Sequence, residues 1–184
     1  MIFLNLGCGK NIRLDCINVD ILGPVVVDLG VFPWPWQDNS IDGIYASHIL
    51  EHFQDQEKFI SECHRILKPG GFLRLNLPHA SSVASVGCMG HYRTYSYSSI
   101  YDYVSRKNFY LCPRPRFKTT YQKLGWWYEG IDTQGQISKW QVPIIWLLDY
   151  VFTRLARLSP AICENTWIYL VGGFREVIWM GRKI

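Results

Sequence analysis

Short apolar runs alternate with segments of helical spacing through the first half of the chain. Residues 2–6 (IFLNL) read as a strand that ends on glycines, residues 17–20 (INVD) as a second strand and residues 24–28 (PVVVD) as a third. A Pro/Trp-rich loop, VFPWPWQDNS, leads to a fourth strand at 42–46 (DGIYA). Over 55–67 the apolar residues Phe59, Ile60, Cys63, Ile66 and Leu67 recur three and four apart, which predicts a helix with one buried stripe. Pro69-Gly70-Gly71 is expected to stop it, and 72–77 (FLRLNL) reads as a fifth strand. Strands alternating with helical patterns imply a parallel sheet with helices on its faces. In the second half, 79–95 reads as loop, 96–104 as helix and 116–123 as strand. Residues 143–158 form an amphipathic helix with Asp149, Thr153 and Arg157 on its polar side, and 176–180 (EVIWM) a late strand. The 143–158 helix is expected to pack on the sheet. Contact of Trp140, Trp146, Arg154 and Arg157 with a membrane surface is the alternative.

Composition narrows the picture. The 184 residues are 48% apolar and 18% charged, with no repeat, low-complexity tract or compositional break, so a single domain over 1–184 is expected. The longest apolar stretch, 142–152, is interrupted by Asp149 and is shorter than the ~20 residues of a membrane span. The opening MIFLNLGCGK lacks a basic region followed by an apolar run, so no secretory signal is expected. Six cysteines without a C-x-x-C pair read as reduced thiols in a cytoplasmic protein. The net charge of +4 is local: residues 91–123 carry +6 and the rest of the chain −2. That excludes a polycation and leaves a basic segment interleaved with tyrosines. Aromatic faces stack on sugars or bases and basic groups attract phosphates. A phosphorylated or nucleotide-linked sugar is the favoured ligand, single-stranded RNA the rival, and a tyrosine-rich lid over the sheet the plainer reading.

The chemistry begins at the first strand end. LNLGCGK runs a strand into Gly7-x-Gly9, where glycines permit a tight turn and close approach of a ligand to the backbone. Asp20 ends the second strand, where a carboxylate can accept both hydroxyls of a ribose. Asp28 ends the third, placed to accept from an adenine amine. This is an adenosine-binding layout. It is not that of NAD: residue 12 is Ile where a third glycine would stand, and Asp20 follows Gly7 by only 13 residues. With so few residues between the first two strands, no crossover helix fits there.

The run LNLGCGK, INVDI, VVDL, WPWQDNSIDGIYASHILEHF and HRILKPGGFLRLNLPH resembles the class I S-adenosylmethionine-dependent methyltransferase family, closest to its small type 11-like branch. The resemblance is dense over 3–79 and looser through HYRTYSYSSIYDY. It implies a three-layer Rossmann-like α/β fold on a mainly parallel seven-stranded sheet, with a cofactor half (1–79) and a substrate or lid half with the final strands (80–184). It implies S-adenosyl-L-methionine as cofactor, with Gly7, Cys8 and Gly9 on its methionine moiety, Asp20 on the ribose and Asp28 on the adenine edge. Ile21 and Leu29 would pack near the ring, and Ser47 and His48 would line the methionine side. The branch occurs among glycan and cell-surface biosynthesis genes, so the expected reaction is O-methylation of a carbohydrate or glycan precursor. RNA, another small molecule, or a catalytically silent binding module are the alternatives.

Two histidines are candidates for the base that an alcohol acceptor needs. His79 follows the fifth strand, and ligands of open α/β sheets bind beyond the carboxyl ends of strands. His91 lies in HYRTY, where Arg93 and Tyr95 are expected to orient substrate. A third pattern, His48-Ile-Leu-Glu51-His52, spells H-x-x-E-H, which on a helix can hold zinc. Here it begins at a strand end and only Glu129 stands as a nominal third ligand, so no metal site is expected.

Overall fold

The structure, a computed structural model, describes residues 1–105, 116–125, 142–166 and 173–184. Seven strands form one sheet: β1 (Phe3–Leu6), β2 (Ile17–Asp20), β3 (Val25–Val26), β4 (Ile41–Ser47), β5 (Leu67–Pro78), β6 (Phe117–Gly125) and β7 (Glu176–Lys183). Their order is β3-β2-β1-β4-β5-β7-β6. β1 to β5 are mutually parallel, and β7 runs antiparallel to both β5 and β6. Helices α1 (Gln56–Ile66), α2 (Val83–Gly87), α3 (Tyr97–Val104), α4 (Val142–Leu158) and α5 (Pro160–Asn165) accompany the sheet. This is the Rossmann-like α/β architecture that the resemblance implies, and β1 to β5 are the parallel strands that the alternation of patterns predicts.

Register separates the two faces of the sheet. Val19, Leu6, Ala46, Leu75 and Trp179 lie in one cross-strand row, each 3% exposed or less. This face packs against the stripe of α1 made by Phe59, Ile60, Cys63 and Ile66. The neighbouring row on the opposite face reads Asn18, Asn5, Tyr45, Arg74 and Met180. Over it lies the 7–16 loop instead of a helix, as the short β1–β2 spacing requires. Asn5 Nδ2 donates to Asn11 O (2.8 Å) and to Asn18 Oδ1 (2.8 Å), and Asn18 Nδ2 donates to Arg13 O (2.9 Å). The Arg13 guanidinium stacks 3.9 Å above the Tyr45 ring. Buried amides thus satisfy the backbone of a loop that has no helical hydrogen bonds of its own.

Local signals explain the boundaries. Asp55 caps α1 by accepting from Lys58 N at 3.1 Å, and Ser96 caps α3 in a reciprocal box with Ser99. Arg65 and Glu62 pin the Pro/Trp-rich loop to α1. Glu62 accepts from Trp34 N (2.8 Å) and from Arg65, which also donates to the carbonyls of Trp34 and Trp36. The Arg65 guanidinium holds the Glu62 carboxyl below the usual carboxylate range, against the opposing effect of burial.

Several expectations are corrected. α1 ends at Ile66, before Pro69-Gly70-Gly71, because Leu67 already pairs with Ile41 at the start of β5. The third strand shrinks to Val25–Val26, since Asp28 turns to accept from Gly30 N. The nominal loop at 79–95 contains α2, and α5 was not anticipated. On α4 the buried positions are Thr153 and Ala156, while Ile144, Trp146, Leu147 and Tyr150 are exposed, so much of its apolar surface does not pack on the sheet. No helix among the described residues is long and apolar enough to cross a membrane. Among the described residues Cys8, Cys16, Cys63, Cys88 and Cys163 are free thiols. Trp126, Trp127, Tyr128, Glu129, Trp140 and the basic run at 106–115 lie outside the described residues.

Candidate functional site

The site is built where β1, β2 and β4 end. Gly7 has φ +62°, and a Cβ there would stand 2.5 Å from Ile49 Cγ1, so both backbone and space demand glycine. Gly9 N donates to Asp20 Oδ2 (2.9 Å) and Leu22 N to Asp20 Oδ1 (3.2 Å). Asp28 Oδ1 accepts from Gly30 N at 2.8 Å. These turns fix two carboxylates at the rim of a cavity of about 470 Å³ whose lining includes Gly7, Asp20, Ile21, Asp28, Leu29 and His52. A second cavity of about 660 Å³ is lined by Arg93, Tyr95, Ser96, Ser98, Ser99 and Asp102. Gln54 and Asp55 line both, so the two cavities abut.

Five of the nine expected cofactor residues therefore line one cavity. Cys8 and Gly9 shape its turn but do not line it. Cys8 is 4% exposed with its N–H on Val19 O, and burial followed by the Asp20 carboxylate pushes its thiol up. Ser47 lies across the sheet, in a cleft of about 160 Å³ with Asn5, Arg13, Tyr45 and Arg74. His48, with φ +52°, has its ring between Glu51 Oε1 (3.4 Å) and Glu176 Oε2 (3.6 Å). Burial alone would lower its pKa, but the two carboxylates outweigh it and raise it to about 9.

The two candidate bases fare differently. His79 is 2% exposed, with Nε2 2.8 Å from Glu164 Oε1 and Nδ1 2.7 Å from Ser81 Oγ. It lines neither cavity and ties the end of β5 to α5. Glu164 also accepts from Tyr97 N, extending the tie to α3. His91 is half-buried, its Nδ1 3.1 Å from Ser85 O and its ring 4.8 Å from that of His52. Arg93 and Tyr95 both line the larger cavity. The Tyr95 phenol is held protonated by burial first and by the nearby Glu51 charge second.

Sequence reasoning missed Glu176 and Glu164, because their partners lie across the sheet and no local pattern announces them. It weighed Glu51 only as part of a zinc motif. The structure buries that carboxylate completely, with neither oxygen hydrogen-bonded among the described residues.

A glycine turn facing two strand-end carboxylates, on this strand order, defines a Rossmann-like protein with a nucleoside-sized crevice. Comparison with known proteins adds what the chain is similar to. The family model described as Methyltransferase domain matches residues 24–75. A Mycolicibacterium smegmatis protein named "Probable S-adenosylmethionine-dependent methyltransferase" is 40% identical over 45 residues, covering 24% of this chain and 18% of the relative. The matched segment is thus under a fifth of that relative's length. A crystal structure of a SAM-dependent methyltransferase from Archaeoglobus fulgidus superposes with a TM-score of 0.57 at 17% identity, covering 98% of this chain and 85% of that one. A chain from the complex between the Haloferax volcanii Trm112 methyltransferase activator and a methyltransferase gives 0.57 at 15% identity, covering 99% and 81%. At these identities the structural likeness carries the fold. Fold and matched segment together show a Rossmann-like methyltransferase fold whose residues 24–75 are similar to a methyltransferase domain.

Proposed function

We propose that the chain binds S-adenosylmethionine in the 470 Å³ cavity and directs its methyl group to a hydroxyl of a carbohydrate held in the 660 Å³ cavity. The observation that carries this reading is the shared wall of Gln54 and Asp55, which sets a donor-sized and an acceptor-sized space side by side. The residues fit the cofactor. Gly7 carries no side chain, so a ligand can approach its backbone closely, and each Asp20 oxygen accepts one backbone N–H and keeps a lone pair for a ribose hydroxyl. Asp28 accepts from Gly30 N through Oδ1, and its Oδ2 suits the adenine amine, with Ile21 and Leu29 against the ring. When bound, the cofactor supplies a methyl carbon made electrophilic by its sulfonium.

The rest of the task is alignment and exclusion of water. Three serines, Asp102, Arg93 and Tyr95 offer the mixed donors and acceptors that a polyhydroxylated ligand requires. Of the two candidate bases, His91 stands beside the cofactor cavity through His52, whereas His79 is walled into the fold. Calorimetry with S-adenosylmethionine and S-adenosylhomocysteine, followed by a methyl-acceptor screen over nucleotide sugars, tests the reading. Binding of both, lost in Gly7→Ala, is expected. Absence of heat from either would reduce the chain to a non-catalytic binding module. Steeply salt-dependent affinity for single-stranded RNA would move the acceptor from glycan to nucleic acid.

A further inference from the structure

His52 and His91 lie 39 positions apart in the chain, yet the loop 88–92 brings them together. Tyr92 N donates to Glu51 O at 2.8 Å, which docks that loop on the 3-10 turn Leu50–His52. A carboxylate oxygen of Glu51 and one ring nitrogen each of His52 and His91 then lie within 4.8 Å of one another. We propose that these three side chains bind a divalent transition-metal cation at the wall of the cofactor cavity.

Three independent features point to a ligand. Glu51 is 0% exposed and neither of its oxygens is hydrogen-bonded among the described residues; the nearest cation, His48 Nδ1, is 3.4 Å from Oε1. That imidazolium is shared with Glu176, so the buried Glu51 carboxylate keeps capacity for a second cation. Each imidazole is oriented by a backbone carbonyl, His52 Nδ1 to Gly90 O and His91 Nδ1 to Ser85 O, both at 3.1 Å. That arrangement fixes the tautomer with its lone pair on Nε2, and carbonyl-anchored imidazoles of this kind are the ordinary support of metal ligands. The donor set, two imidazoles and one carboxylate, suits zinc, cobalt, manganese or iron in the divalent state and leaves coordination positions open. The third ligand that the H-x-x-E-H pattern lacks in sequence is supplied in space by His91, while His48 turns away between Glu51 and Glu176.

The inference deepens the proposed function and rests on it for its meaning. His52 lines the smaller cavity and Leu50, on the same turn, lines the larger, so the cation stands where an acceptor oxygen has to be held. There it would act as a Lewis acid on that oxygen, in place of His91 as base, because a metal-bound Nε2 has no lone pair for a proton.

The test uses the full chain stripped with EDTA and titrated with cobalt(II), read by visible d–d absorbance and by calorimetry, with zinc as competitor. One tightly bound cobalt with four- or five-coordinate absorbance, displaced by zinc, is expected. Glu51→Gln and His91→Asn should each weaken binding at least about tenfold, while His79→Gln leaves it unchanged. Circular dichroism checks that each variant is folded, and His52→Asn, at an exposed position, serves where Glu51→Gln is not. No saturable cobalt binding, or binding untouched by all three ligand substitutions, overturns the site. S-adenosylhomocysteine binding is measured on the same metal-free protein: heat there with no cobalt site removes the metal alone, and a cobalt site without such heat removes the methyltransferase reading instead.

Discussion

The two faces of the central sheet solve the same covering problem with different materials. One face is a row of leucines, Val19 and Trp179 sealed by α1, and its stability comes from apolar area removed from water. The other carries Asn18, Asn5, Tyr45 and Arg74 under an irregular loop, held by amide hydrogen bonds and a cation–π stack. The difference teaches why the chain manages without a helix between β1 and β2. A loop of ten residues, 7–16, satisfies part of its backbone by turn hydrogen bonds and takes further partners from Asn5 and Asn18 on the sheet, so this face becomes polar. The same loop begins with the Gly7–Gly9 turn, so the polar face is the foundation of the cavity proposed for the cofactor.

Substitutions on the two faces should therefore separate stability from binding. The largest loss is expected for Trp179→Ala, about 3–5 kcal/mol from the cavity left in the apolar layer, read as a fall in urea midpoint with cofactor affinity retained in the folded fraction. Leu75→Ala follows at about 2–5 kcal/mol with the same signature. Asn18→Ala should cost less, about 1–3 kcal/mol, because it takes from the loop's Arg13 N its Asn18 partner and leaves Arg13 O with Cys16 N alone of its two donors. Unlike the leucine change it should also weaken S-adenosylhomocysteine binding, by loosening the turn at residues 7–9. If Asn18→Ala lowers stability and leaves affinity intact, the link between the polar face and the cavity is broken.

A smaller effect concerns pH. Glu62 has its carboxyl lowered by Arg65, so it stabilises the fold above the unfolded carboxylate pKa, and that contribution is lost as pH falls through the lower folded value. In Arg65→Gln the Glu62 titration should return toward its ordinary range and acid unfolding should begin at higher pH, measured by tryptophan fluorescence.

What could be read from the chain divides along the same line. β1, β2, β4 and α1 are legible because their apolar residues fall at strand or helix spacing and their ends carry Gly7, Asp20 and Asp55. The glycine turn and the Asp20 and Asp28 positions are legible for the same reason: each is the terminus of a local pattern. The roles of His79 and Ser47 are not. Whether a residue after a strand faces a cavity or the far side depends on contacts such as His79 with Glu164, 85 positions away, which no local pattern encodes. The meeting of His52 with His91 belongs to the same class. The reach of β5 back to Leu67 is likewise set by its neighbour, through the Ile41 pairing, and not by its own Lys-Pro-Gly-Gly run, which reads as a stop.

The most direct measurement is a crystal structure of the chain soaked with S-adenosylhomocysteine. The account predicts both ribose hydroxyls on the Asp20 carboxylate, the adenine amine within hydrogen-bond distance of Asp28, and the thioether end beside Gly7 and His52. Density for the nucleoside elsewhere, or a crevice closed by Ile49 and Tyr92 with no ligand bound, would contradict it.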